Sequence, residues 1–168
     1  MVTESEVFNA VRRGYIEFES TSNAGIIDYF SGVDQESVAG HASHIKGILF
    51  EQEYLDVLEA KGVEAQIFEA ENHPITDIAV LGDGDFATEL QLKATDSASY
   101  VTAAIQENPD VGFVVTSEIA GSLGTDLVVD SGIENAALDS AVEGTLIDEA
   151  LNPISPLSVI GWAFGLPF

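Results

Sequence analysis

The stretch TDIAVLGDGDFATELQLKATDSASYVTAAIQENPDVGFVV, residues 76–115, decides the fold of this chain. It opens with a short apolar strand at 76–81, and the turn sequence GDGD separates this strand from an alternating one at 86–95. Residues 97–108 then have helical periodicity, and residues 111–118 form an apolar run typical of a buried strand. Two strands joined by a tight turn, followed by a helix and a further strand, predict a small mixed β-sheet.

The flanking sequence adds helices and one more strand to this sheet. Residues 3–19 and 24–32 have apolar side chains at helical spacing, and a long helix follows them and ends at Gly62. Residues 63–70 alternate as a strand, and residues 121–149 predict one or two further helices. The fold class is therefore α/β, a small mixed sheet flanked by helices with a helical extension at the N-terminus.

Four segments are predicted along the chain: a helical extension at 1–36, an α/β core at 37–120, a helical segment at 121–149 and an apolar arm at 150–168. The arm carries no charged residue and is punctuated by prolines, in a chain that is acidic elsewhere. Its apolar portion is too short to span a bilayer. It is expected either to pack back over its own core or to dock on a partner, another subunit or a membrane surface.

Charge is the unusual feature of the composition. The 168 residues include 29 acidic and 5 basic ones, for a net charge of -24, while 46% are hydrophobic. That apolar content excludes wholesale disorder. Acid spread along a globular chain resembles the proteins of extreme halophiles, in which molar salt screens the self-repulsion. Because molar salt also removes most of the electrostatic term in DNA binding, the acidity does not exclude a nuclease.

Several site classes are excluded by missing residues. The chain has no cysteine, which removes disulfides, thiolate metal sites, iron–sulfur clusters and a cysteine nucleophile. The histidines at 41, 44 and 73 leave zinc open but match no strong zinc-binding motif, and no P-loop, dinucleotide-binding or nucleophile-elbow motif is present. The N-terminus lacks the apolar core of a signal peptide, so a cytoplasmic or virion-associated location is expected.

Three polar residues are predicted to meet on neighbouring strands. Gln91 and Lys93 share one face of their strand because alternate residues point the same way. Asp77 begins the preceding strand, and a short hairpin brings it beside them. Carboxylate and amide oxygens suit Mg²⁺, and an ammonium can orient a water or stabilise a phosphorane-like transition state. Thr95 and Tyr100 are nearby in sequence and can line the site, and core or capping roles are the alternative.

This set resembles the PD-(D/E)xK nuclease superfamily, in particular the Mrr-like and resolvase-like branch that has Q-x-K in place of E-x-K. The resemblance extends over residues 40–118 and includes a first helix of the form G-x-x-x-E…L…G. Gly47, Glu51, Leu58 and Gly62 fit that form.

The resemblance implies a restriction-endonuclease-like αβββαβ core within 37–120 and a metal-dependent DNA phosphodiesterase. By the same resemblance Asp77 and Gln91 are the ligands of Mg²⁺, and Lys93 is the catalytic lysine. Glu51 is the helix carboxylate that assists catalysis. DNA is the implied partner.

Each of these residues also has a structural explanation. Lys93 can form an ion pair with Glu89 or Asp77, and Asp77 can close a turn after the preceding proline. Glu51 lies off the polar strip of its helix, which favours a buried role, but Glu53 is similarly placed on the other side.

A second function therefore stands beside the first. The chain can be a non-catalytic module of the same fold that acts in a larger assembly, such as a virion or a mobile-element complex. The few basic residues and the apolar arm favour this alternative, whereas the complete Asp…Gln-x-Lys set favours the enzyme.

Overall fold

The computed structural model describes residues 1–68, 76–81 and 87–148. This part of the chain contains, in order, α1 (Glu4–Gly14), α2 (Asn23–Ser31), α3 (Gln35–Ala60), β1 (Ala65–Ile67), β2 (Ile78–Leu81), β3 (Ala87–Lys93), α4 (Ala98–Glu107), β4 (Gly112–Val115), α5 (Ser117–Ala120), β5 (Val128–Asp130) and α6 (Asn135–Val142). A 3₁₀ turn, Ile16–Phe18, follows α1, and a π-helical stretch, Glu143–Asp148, follows α6. Of the helices in these ranges, not one is both long and apolar enough to cross a bilayer. The predicted α/β class is confirmed.

Three features of the sequence lie outside the described residues. They are the GDGD turn at 82–85, the histidine at 73 with its following proline, and the apolar arm at 150–168. The strands on either side of the GDGD turn pair antiparallel, as a hairpin requires.

Local signals set the helix ends that frame the sheet. The long helix α3 ends in a Schellman motif, in which Gly62 and Val63 donate to the carbonyls of Glu59 and Leu58, both at 2.9 Å. Gly62 has φ +74°, a conformation that glycine adopts without steric penalty. Ser97 caps α4 by accepting the N–H of the third residue of the helix at 3.3 Å. Gly62 therefore ends α3 where the sequence predicts, and Ser97 caps α4 at the start of the predicted helical stretch 97–108.

The five strands lie in the order β1–β2–β3–β4–β5. The first two pairings, β1 with β2 and β2 with β3, are antiparallel, whereas β4 is parallel to both β3 and β5. Helix α4 forms the connection between β3 and β4, as a parallel pair requires. Strand β5 lies in the 121–149 stretch, where the sequence predicts helices, and pairs Val128 with Phe113.

Residues 46–138 form one compact unit that contains the whole sheet. Between the sheet and α4 an apolar cluster is built on Val101, Phe113 and Val115, each with no exposed surface. This cluster stabilises the face of the sheet that α4 covers.

The second compact unit is helical and comprises, in its described part, residues 1–45 and 139–148. Tyr15 and Phe30 pack edge to face, with ring centroids 6.3 Å apart. The Tyr15 hydroxyl lies 2.6 Å from Nδ1 of His41, which places this histidine in an aromatic cluster.

Candidate functional site

The start of β2 and the end of β3 meet at one end of the sheet. The pairing of β2 with β3 begins at Ile78, which is level with Leu90, and the N–H of Asp77, the residue before β2, donates to the carbonyl of the same Leu90 at 2.9 Å. Oδ2 of Asp77 accepts the backbone N–H of Leu92 at 2.7 Å. The carboxylate of Asp77 therefore lies against the backbone of β3, between Gln91 and Lys93.

Gln91 and Lys93 lie on the face of the sheet that α4 covers. In the parallel pairing of β3 with β4, Gln91 is level with Phe113 and Lys93 with Val115. Level residues on paired strands share a face, and both of these β4 residues belong to the cluster under α4. Leu92, which alternates with them, is buried on the opposite face. This matches the predicted alternation.

The side-chain amide of Gln91 has an unpaired oxygen. Among the described residues, Oε1 of Gln91 is buried and has no hydrogen-bond partner. A buried acceptor left unpaired costs about 1–3 kcal/mol, so such a group calls for an explanation, such as a missing ion or water. Amide and carboxylate oxygens are the ligand types that hard cations prefer, so Gln91 and Asp77 are of the residue types that suit Mg²⁺.

Lys93 is half-buried, and its ammonium lies over an aromatic ring instead of in the apolar layer. Nζ is 5.5 Å from the centroid of the Tyr100 ring, and Tyr100 is 55% exposed. Glu89, one of the two carboxylates considered as an ion-pair partner, accepts the Thr76 hydroxyl at 2.9 Å. The ammonium thus lies where solvent can approach it.

Burial raises the pKa of Asp77 above its usual value. The N–H of Leu92 and the ammonium of Lys93 both lower this pKa, but by less than burial raises it. Lys93 is therefore close enough to act on the carboxylate. Because the charged form of Asp77 remains disfavoured, a further positive charge at this position would be stabilising.

Polar residues that sequence reasoning did not select fix the ends of the parallel strands. The Thr116 hydroxyl, fully buried, donates to the carbonyl of Thr95 at 2.7 Å, and Ser117 donates to Asp130 at 2.8 Å. These bonds link the residues that follow β3 and β4, and join the segment after β4 to Asp130, the last residue of β5. Ligands in parallel sheets commonly bind outside the carboxyl ends of the strands, which is where Lys93 lies. In the sequence, these residues could have been found from the Thr116-Ser117 pair, because two hydroxyl residues directly follow an apolar strand.

The fourth predicted site residue, Glu51, is half-buried on α3, as is Glu53. Among the residues that the structure describes, the contacts given above for the site join Asp77, Leu92, Lys93 and Tyr100, and Glu51 is not one of them. The catalytic role of Glu51 therefore stays a prediction.

The chain has no significant match among family models, curated proteins or solved structures.

Proposed function

We propose that the chain is a Mg²⁺-dependent phosphodiesterase that acts on DNA, with its site at Asp77, Gln91 and Lys93. The observation that carries the proposal is the buried, unpartnered Oε1 of Gln91 on the strand that holds the Asp77 carboxylate. A divalent cation at this point would give the amide oxygen a partner. It would also offset the burial that disfavours the charge of Asp77.

The order and pairing of the elements support the proposal. From α3 to β4 the chain runs αβββαβ, the order that the nuclease resemblance implies. Its first three strands are joined antiparallel, and α4 leads to a parallel fourth. In this topology the residue before β2 and the last residues of β3 lie at the same end of the sheet. The Asp…Gln-x-Lys set occupies these positions.

The chemistry follows from the donor set. Asp77 and Gln91 would hold Mg²⁺ through oxygen atoms. When bound, the ion supplies Lewis-acid stabilisation of the phosphoryl group. The ammonium of Lys93 orients the attacking water and stabilises the negative charge that develops on the phosphoryl oxygens as the P–O bond breaks. Glu51 assists, as the resemblance implies.

A non-catalytic module of a larger assembly is the second candidate, and one contact favours it. The Asp77 carboxylate already has a structural partner in the N–H of Leu92, and burial disfavours its charge. With 29 acidic and 5 basic residues, the chain also offers few groups for a phosphate backbone. This candidate predicts that removing Gln91 leaves the response to Mg²⁺ unchanged.

Mg²⁺ binding by a Gln91→Met variant separates the two candidates. Thermal unfolding in molar KCl, which suppresses diffuse binding to the many carboxylates, is followed with and without Mg²⁺. A ligand at ten times its Kd stabilises the native state by about 1.4 kcal/mol. We expect this stabilisation in the wild type and its loss in Gln91→Met. Without Mg²⁺ the variant should be at least as stable as the wild type, because the unpaired oxygen is gone.

The matched control is Gln66→Met, the same substitution at an exposed position on β1. It should respond to Mg²⁺ as the wild type does. An equal Mg²⁺ response in all three proteins would contradict the proposed site.

A further inference from the structure

The ammonium of Lys93 lies over the ring of Tyr100. The Nζ to ring-centroid distance of 5.5 Å lies within the range of cation–π attraction. Ser97 caps α4 and thereby places Tyr100 in its first turn, next to the buried Val101. The ring of Tyr100 is 55% exposed and contributes little to the apolar cluster under the helix. An exposed aromatic ring beside the lysine of the site calls for a role of its own.

Without the ring, the ammonium has a competing partner. The Lys93 side chain is flexible, and Asp77 lies close enough for the two charges to interact. A direct ion pair would occupy the carboxylate with an ammonium where the metal is proposed to bind. It would also occupy the donors that a phosphoryl oxygen needs. The ring offers an uncharged partner that competes for neither role.

We propose that Tyr100 is a positioning residue, whose ring holds the Lys93 ammonium out of a direct ion pair with Asp77. The carboxylate is thereby left to Mg²⁺ and the ammonium to the phosphoryl group. This inference rests on the proposed function and deepens it by naming what keeps the site open.

The test is a double-mutant cycle on Mg²⁺ affinity. Its variants are Tyr100→Phe, Tyr100→Leu, Lys93→Met and the double variant Lys93→Met/Tyr100→Leu. Tyr100→Phe keeps the ring and should bind Mg²⁺ as the wild type does. Tyr100→Leu should weaken binding roughly two- to fivefold, the range that a cation–π contact at an exposed site represents. In the Lys93→Met background the leucine should have no effect, because no ammonium competes.

A second readout does not depend on metal. Competitive labelling with an amine reagent, followed by mass spectrometry, gives the reactivity of Lys93 relative to the exposed Lys61. An ion pair with Asp77 occupies the amine and shields it from the reagent, so this ratio should fall in Tyr100→Leu and stay unchanged in Tyr100→Phe. If the wild type binds no Mg²⁺, the proposed function fails while the labelling ratio still tests Tyr100. Equal labelling ratios in Tyr100→Leu and Tyr100→Phe, or a leucine effect on Mg²⁺ that persists without Lys93, would overturn the inference.

Discussion

Asp77 has two tasks in this account, and they place opposite demands on its charge. Its carboxylate accepts the N–H of Leu92 and so completes the hydrogen bonding of β3, a task that a neutral oxygen also performs. Binding of Mg²⁺ requires the ionised form, which burial disfavours. Substitutions that keep the oxygen but remove the charge therefore separate the two tasks.

Two substitutions of Asp77 make this separation. Asp77→Asn retains an acceptor for Leu92, whereas Asp77→Ala leaves that N–H unpaired. We therefore expect the alanine variant to be less stable than the asparagine variant by about 1–3 kcal/mol. Urea unfolding in molar KCl with a chelator measures the difference. Equal stability of the two variants would show that the bond to Leu92 contributes nothing.

The same asparagine variant carries a pH signature with a definite sign. Because burial raises the pKa of Asp77, the folded state binds this proton more tightly than the unfolded chain does. Protonation of Asp77 stabilises the fold fully below the pKa of this group in the unfolded chain, which is about 3.9. This stabilisation is lost as the pH rises through the pKa of Asp77 in the folded state. At neutral pH and without metal, Asp77→Asn should therefore be more stable than the wild type. The difference should close on acidification, and an unchanging difference would contradict the assigned pKa direction.

At the scale of elements, sequence signals that act within a few residues predicted the structure well. Ser97 and Gly62 mark helix ends because their effects are local, through a side-chain cap and a left-handed conformation. The hairpin of β2 and β3 followed from alternation, and it brought Asp77 beside β3 as expected. Helix caps and strand alternation can be predicted from the sequence because they do not depend on distant parts of the chain.

Features that depend on distant neighbours were not predictable in this way. Strand β5 has three residues and exists because Val128 and its neighbours pair with β4. The unpaired oxygen of Gln91 depends on what surrounds it in space, and the sequence shows only its place on a strand. The sequence left Tyr100 between a core or capping role and a place beside the site, and the structure shows an exposed residue whose ring contacts Lys93. Pattern reasoning therefore located the strands of the site but not the contacts that define it.

At the scale of the whole molecule, the net charge of -24 is the dominant physical fact. Like charges on a compact chain repel over the Debye length, which is about 10 Å at 0.1 M salt and about 3 Å at 1 M. Screening at molar salt therefore removes most of the repulsion that opposes folding.

We expect the fold to be markedly less stable at about 0.1 M KCl than at about 2 M KCl. Far-ultraviolet circular dichroism during urea unfolding measures this difference. Sucrose is the matched control, because it favours burial of apolar surface without screening charge. Stability that does not change between the two KCl concentrations would show that the acidity serves another purpose, such as an anionic binding face.

The most direct test of the central claim is DNA cleavage by matched lysine variants. Labelled DNA is incubated in molar KCl with Mg²⁺ or a chelator, and the rate constant is measured for the wild type, Lys93→Met and Lys61→Met. Lys61 is the exposed residue that follows α3, so the same substitution there leaves the proposed site intact. We expect Mg²⁺-dependent cleavage by the wild type and by Lys61→Met, and a loss of roughly 100-fold or more in Lys93→Met. A rate constant for Lys93→Met equal to that of the wild type would contradict the account, as would the absence of Mg²⁺-dependent cleavage by the wild type.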